Sequence, residues 1–381
     1  MHKRLLLMLA AVPMAAGGFT IGQFDPIHER LALMSEQCVA FDGQLLLDND
    51  YGGRISCRFD EARLRAARKT LSRWPHKQTS LEEAVRWGDD PGRGLRHIGR
   101  GSDYLWQLKV TCDRQIFDGP DQNRFLPVYR AGIMCSGHYG RLGFFHSMMS
   151  SDDAAAIIEA ERTGTDVSLA KADAQRRTRD KILAWAMFTY RVAKGDLSPD
   201  VGFCDAVSVD PRLHDVFDDG NDCRTADAEW TVRRFFTFAC PNPKIDAPCK
   251  TSYDGDATVR TADDRDAMVR LAALGSLLHM VQDSYAQGHV RRLDEPVRDG
   301  NKLAAVIACA SPKQYYYYDK ANRDDGHGKA DGAPSVRECG QSAVDDPVSA
   351  GATLLWLLRN SRSADDVNRY LSQRVYPTGK S

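Results

Sequence analysis

The sequence predicts an all-α protein, a multi-helix bundle, and three observations carry that prediction. Apolar residues recur at three- and four-residue spacing through the long runs. Helix start and stop residues bracket those runs. Strand-like patterning is confined to "YLWQLKVTC" and "KQYYYYD". The first element, "DPIHERLALMSEQC", has Asp25 placed as N-cap and Pro26 in the first turn, where a missing N–H costs nothing. "FDEARLRAARKTLSRW" and "SLEEAVRW" are amphipathic, and in the second Ser80 and Glu83 stand at capping-box spacing. "SLAKADAQRRTRDKILAWAMFTYRVAKG" runs unbroken to a glycine stop. "DDRDAMVRLAALGSLLHMVQDSYAQG", "PVSAGATLLWLLRN" and "SADDVNRYLSQRV" complete the helical set.

A chain of 381 residues, 43% hydrophobic and 27% charged, has enough material to bury a large core, and residues 19–381 read as a single helical domain. A net charge of −1 supplies no overall basic field for nucleic acid or anionic membrane. The opening "MHKRLLLMLAAVPMAAGG" has a basic start, an apolar run and then small residues, which is the anatomy of a secretory signal peptide over residues 1–18. Cleavage after Gly18 leaves Phe19 as the new N-terminus, and the chain is expected to be exported to the periplasm or beyond the cell. The ten cysteines form an even set, which in an exported chain predicts disulfides. Sequence neighbours such as Cys38 with Cys57, or Cys240 with Cys249, are candidate partners. Residues 196–255, rich in Asp, Pro and Gly and holding four of the cysteines, read as a disulfide-stapled insertion between two core helices. A bare loop of that length is uncommon inside a compact domain.

One helix carries chemistry. In "ALGSLLHMVQDSYAQGH", His279 and Asp283 are four residues apart and so stand one above the other on one face, with Ala272, Gly275 and Ala286. Leu271, Leu274, Leu278 and Val281 form an apolar stripe expected to face the core. A His and an Asp projecting together among small residues leave room for a metal ion. In isolation the same pattern describes a buried histidine satisfied by an aspartate one turn away. Other segments supply comparable groups: His28 in the first helix, Asp89 and Asp90 in "WGDDPGR", His138 and His146 in "CSGHYGRLGFFHSM", His289, and His327 with Asp331 in "DGHGKAD". Zinc favours imidazole nitrogen and carboxylate oxygen, and this set exceeds the needs of one tetrahedral ion. Several zinc ions bridged by shared carboxylates polarise a phosphoryl oxygen and bring the pKa of a bridging water near neutrality. The run Tyr315 to Tyr318 reads as an edge strand or packed loop, or else as an aromatic wall for substrate.

The H-x-x-x-D-x-x-x-x-x-H of His279, Asp283 and His289 resembles the core motif of the zinc-dependent phospholipase C and single-strand-specific, fungal-type nuclease superfamily. Further matches follow in chain order: a first-helix His at His28, Gly-x-Asp at Gly88 and Asp90, Gly-His-aromatic at His138, and a second H-x-x-x-D at His327 and Asp331. The resemblance implies an all-helical fold with up to three zinc ions. It implies that Asp90, His138, His279 and Asp283 hold one, that His289, His327 and Asp331 hold a second, and that the Phe19 amino group, His28 and Asp283 hold a third. Asp283 would bridge two ions, and Asp90 would also serve as general base or orient the attacking water. His146 competes with His138 for its position, and Asp89 with Asp90. The chain departs from the family pattern at Gln287-Gly288, where relatives carry Pro before the third His. The implied activity is hydrolysis of a phosphodiester, with a phospholipid as first choice of substrate and transient contact with a membrane surface. A nuclease acting on single-stranded nucleic acid is the alternative, and a binding or structural protein on the same scaffold is a third reading.

Overall fold

The computed structural model describes residues 27–64, 80–89, 136–137, 140–217, 231–236, 261–300, 302–317, 335–337 and 344–378. The signal segment, "YLWQLKVTC", Cys240 and Cys249 lie outside the described residues. Within them the protein is mostly helical, as its periodicity predicts. The elements run α1 (Ile27–Gln37), β1 (Gln44–Leu46), β2 (Arg54–Ser56), α2 (Leu81–Ala84), α3 (Ser151–Thr163), α4 (Val167–Lys194), α5 (Phe203–Val207), α6 (Pro211–Phe217) and α7 (Val232–Phe236). Then come α8 (Ala262–Asp283), β3 (Val290–Arg291), β4 (Arg298–Asp299), β5 (Lys302–Leu303), β6 (Val306–Ala308), β7 (Gln314–Tyr315), β8 (Ser335–Arg337), α9 (Pro347–Arg359) and α10 (Ala364–Arg374). Among the described residues the strands pair in twos, β1 with β2, β3 with β7, β4 with β5 and β6 with β8.

Local chemistry sets the helix ends. The side chain of Asp166 accepts from Leu169 N at the start of α4, and Gly195 ends that helix with a φ of 87°. Thr261 with Asp264 closes a capping box on α8, and Ser363 with Asp366 does so on α10. At α2 only half of the expected box forms. Ser80 accepts from Glu83 N at 3.2 Å, while the Glu83 carboxylate turns to Arg86 at 3.3 Å. Helix α3, whose Ser150 N-cap accepts from Asp153 N, is an addition to the helices read from sequence.

Helix α8 is the axis of the molecule, with α4, α2, α9 and the 3-10 turn Val85–Trp87 packed around it. From Ala272 to Asp283 every residue is buried, polar Ser276, His279, Gln282 and Asp283 included, while Leu271 of the expected apolar stripe is half-buried. Gly275 makes the closest packing possible, since a Cβ there would lie 2.1 Å from Ala84 O. That approach presses the 85–87 turn onto α8. Similarly, a Cβ on Gly351 of α9 would meet Ser35 Oγ of α1 at 2.4 Å. The hairpin β1–β2 is stapled to α1 by the Cys38–Cys57 disulfide, one of the two expected pairs, and Cys204 and Cys309 are disulfide-bonded as well. Helix α9 covers the hairpin's outer edge, where Ile55 N donates to Thr353 Oγ1 and Cys57 N to Ser349 Oγ, both at 2.9 Å.

The 196–255 stretch is more than a loop. Its described parts form α5, α6 and α7, which insert Phe203, Phe217, Phe235 and Phe236 against Trp185 and Phe188 of α4. Each such buried ring contributes about 2 kcal/mol of transfer free energy, so this segment holds α4 in place rather than merely joining two helices. Among the described residues no helix is long and apolar enough to cross a membrane.

Candidate metal centre

Four stretches of chain distant in sequence meet at the C-terminal end of α8. Helix α1 brings His28 in its first turn, the end of the 85–87 turn brings Asp89, the 3-10 turn Gly143–His146 brings His146, and α8 with its exit brings His279, Asp283 and His289. The four imidazoles and Asp283 are fully buried, and Asp89 is 9% exposed. Three groups of these residues have ligand atoms all within 4.8 Å of one another: His28, His279 and Asp283; Asp89, His146 and His279; and His146, Asp283 and His289. These groups could hold metal ions, and Asp283 belongs to two of them.

Local structure aims each group. Asp283 ends α8, and the chain turns back through the bonds Ala286 N to Asp283 O and His289 N to Ala286 O, both 2.9 Å, which returns His289 to the helix end. His146 is followed by Ser147, a non-glycine residue with φ of 54°. Ser147 Oγ donates to Met280 O at 2.7 Å and is 2.8 Å from the Tyr376 hydroxyl, so packing against α8 supports the strained turn. Gly88 is required by space, because a Cβ there would lie 2.4 Å from the His279 ring. The His28 and His279 rings stack with centroids 3.8 Å apart.

The hydrogen bonds fix which ring nitrogens carry the lone pair. His279 Nδ1 donates to Val85 O at 2.8 Å, His289 Nδ1 to His146 O at 2.7 Å, and His28 Nδ1 to Gln282 Oε1 at 2.7 Å. All three partners are oxygens that only accept, so in the neutral imidazoles Nε2 carries the lone pair. Second partners of this kind are what metal-ligating histidines have. Two of the lone pairs point at a carboxylate. His279 Nε2 is 3.1 Å from Asp283 Oδ2, and His28 Nε2 is 3.3 Å from Asp283 Oδ1. His279 Nε2 is also 3.6 Å from Asp89 Oδ1, and His146 Nδ1 is 2.8 Å from Asp283 Oδ2. An acceptor facing an acceptor in a buried site demands a positive charge between them. A proton relieves one such contact at a time, whereas a divalent ion relieves several together and spares the cost of burying separate imidazolium ions.

With no metal ion the charge balance falls on protons. Burial pulls the His28 imidazolium down, but the Asp283 carboxylate outweighs it and holds the pKa above the ordinary imidazole value. Burial alone raises Asp283, and the surrounding His289, His279, His28 and His146 override it, leaving its carboxyl well below the usual range.

The structure therefore brings together four of the residues singled out in the sequence, His28, His279, Asp283 and His289, and adds the two rivals, Asp89 and His146. Phe19, Asp90, His138, His327 and Asp331 lie outside the described residues. The groups above are drawn from the described residues alone. His289 sits 3.6 Å from Asp283 and shares a group with it, because the chain folds straight back after α8. Gln282 and the carbonyls of Val85 and His146 were not legible as partners. They are set by helix exit geometry, which no spacing in the sequence encodes.

No family model, curated protein or solved structure matches this chain. What fold and site define together is a mostly helical, disulfide-bearing protein with buried His and Asp groups able to hold metal ions.

Proposed function

We propose that the protein is an exported zinc-dependent phosphodiester hydrolase of the phospholipase C and single-strand nuclease type, acting first on phospholipid. The observation that supports this most is the convergence of four histidines and two aspartates from four chain segments, with Nε2 of His28 and of His279 turned to Asp283 by oxygen acceptors on their Nδ1 atoms. The donors are all nitrogen and carboxylate oxygen, which suits zinc, and no thiolate is among them. His28, Asp89, His146, His279, Asp283 and His289 would hold the ions. When bound, zinc supplies Lewis-acid polarisation of a phosphoryl oxygen and acidifies a water.

The chain's own residues do the rest. Asp283 presents both carboxylate oxygens to histidine nitrogens and so can serve two ions at once. Asp89, 9% exposed where the other described ligand candidates are fully buried, would orient a water or accept its proton, the part that resemblance gives to the neighbouring Asp90. The aromatic and aliphatic packing around the imidazoles excludes bulk water and strengthens each electrostatic contact. The disulfide staple accords with export.

Elemental analysis of the purified full chain tests the reading. Two or three zinc ions per chain, together with hydrolysis of phosphatidylcholine that a chelator abolishes, are expected. Less than one ion per chain with folding intact after chelation would favour a binding or structural protein. Hydrolysis of single-stranded DNA alone would move the assignment to the nuclease branch.

A further inference from the structure

A cavity of about 640 Å³ lies beside the metal centre, on the far side of the His289 backbone. Gly288 lines it, Tyr316 N donates to His289 O at 2.9 Å, and Met149 N donates to Tyr316 O at 2.8 Å. One layer of main chain thus separates the cavity from the imidazoles. Its size is that of a small-molecule site. None of its lining residues belongs to the proposed ligand set.

The lining is graded by polarity. Met149, Ile157 and Tyr315 are buried, and Pro296, Leu303 and the half-buried Tyr316 continue the apolar wall. Lys171, Arg298 and Lys313 are all exposed, so the cations stand at the rim. Among the described lining residues Glu161 is the one acid, bridging Lys171 at 3.3 Å, and Asp294 bridges Lys313 from outside that lining. With Asp294 counted, three cations against two acids leave the described rim with one excess positive charge. Arg298, with Arg291, also lies close enough to Tyr316 to oppose the rise that burial gives its hydroxyl pKa.

We propose that this cavity binds a single-chain anionic amphiphile, with its alkyl chain against the Met149, Ile157 and Leu303 wall and its acidic head at the Lys171, Arg298 and Lys313 rim. The tyrosines alone would also suit a nucleobase, but the aliphatic wall of Met149, Ile157 and Leu303 with cations at the rim favours an alkyl chain carrying a charged head. Of the two amides in its wall, Gln175 and Gln314, the first is already committed at both ends. Its Nε2 donates to Tyr315 O at 3.2 Å and its Oε1 accepts from Tyr315 N at 2.6 Å, so it extends the β3–β7 pairing like an extra strand residue. An apolar interior with cations only at the mouth matches a ligand with one charged end.

The assignment does not rest on metal or on hydrolysis, and its test is a binding measurement. Decyl phosphate, decanoate, decanol and adenosine monophosphate are titrated calorimetrically into the full chain, with zinc and with chelator. Either anion should bind at least ten-fold more tightly than decanol, equally well in chelator. Preference for decyl phosphate would mark a phosphate head, and equal binding a general anion site. Ala172→Trp, which fills the cavity from an exposed position on α4 and so leaves folding intact, should weaken binding at least ten-fold. Arg298→Glu with Lys313→Glu should abolish the preference for anions over decanol. Binding lost in chelator would place the ligand on the metal centre and overturn the proposal. Adenosine monophosphate binding as tightly as decyl phosphate, or Ala172→Trp binding unchanged, would overturn it equally.

Discussion

Two buried carboxylates near the end of α8 have opposite surroundings. Asp345 accepts from Arg54 Nη1 at 2.6 Å, Arg374 Nη2 at 2.9 Å and the Tyr370 hydroxyl at 2.9 Å, so both its oxygens meet groups that can only donate to them. Tyr285, two residues past Asp283, adds a 2.6 Å bond to the Asp345 carbonyl. Asp283 instead meets imidazole nitrogens, two of them turned toward it with lone pairs when neutral. The Asp345 centre is complete as a set of permanent donors. The Asp283 centre is complete only with added positive charge. Burial and ionic character are shared by the two, so neither marks function. The sense of the hydrogen bonds does.

The largest effect should come from breaking that distinction at its centre. Asp283→Asn keeps the shape, removes the charge and turns one oxygen into a donor amide. Removal of an outer partner of a metal ligand costs about 10- to 100-fold in affinity or activity. Loss of a shared ligand should exceed the upper figure, with bound metal falling by elemental analysis. The substitution Asp345→Ala should behave in the reverse manner. It strands two arginines and a tyrosine, and breaking a buried pair costs about 3 kcal/mol or more. Denaturant melts should show that loss while metal content stays unchanged. If Asp345→Ala also released metal, the two centres would be coupled and the contrast between them would fail.

A smaller effect is expected where the two centres differ in packing. Gly88→Ala drives a methyl to within 2.4 Å of the His279 ring, with Gly88 tied into a helical turn and unable to retreat freely. Overpacking of this kind costs about 1–3 kcal/mol. Because the displaced group is a ligand candidate, metal should be lost at lower chelator concentrations than in the parent. A melt shifted with no change in chelator sensitivity would show that the ring accommodates the methyl and that Gly88 serves packing alone.

The helical fold was legible because caps and periodicity are local. Asp166, Thr261 and Ser363 begin helices by bonding residues three positions on, and such bonds are written in adjacent sequence. Helix α3 was missed because its mostly exposed residues, with Asp152, Asp153 and Glu159 among alanines, give it only a weak apolar stripe. The burial of α5 to α7 was also missed, since Pro, Asp and Gly around them suggest solvent while Phe203, Phe217 and Phe235 do the packing. At the site, His279, Asp283 and His289 were legible as one motif on one helix and its exit. Bringing His146 and Asp89 to that motif required tertiary structure. Asp89 reaches the cluster only because Gly275 lets the 85–87 turn lie against α8, and His146 only because Ser147 accepts a left-handed conformation.

The finest test of the contrast lies at Gln282, which touches the Asp283 centre through His28 alone. Gln282→Leu removes the acceptor for His28 Nδ1, leaves the charge count unchanged and should cost about 1 kcal/mol in folding. Metal affinity should fall about ten-fold, as for other outer partners. The pH dependence separates this from a packing defect. The His28 pKa is raised in the metal-free fold, so the stabilisation from its pairing with Asp283 is complete below the ordinary imidazole value and fades as pH rises through the folded value. The depressed Asp283 value adds a contribution that is complete above the usual carboxylate range and is lost progressively as pH falls through that range to the folded value. Metal must displace the His28 proton, so its apparent affinity should climb with pH until His28 is neutral. The Gln282 bond is one of the interactions that raise His28, and Gln282→Leu should move the midpoint of that climb to lower pH. An unmoved midpoint with weaker binding would mean that Gln282 merely packs against the ring, and the inward lone pair at His28 would lose its physical cause.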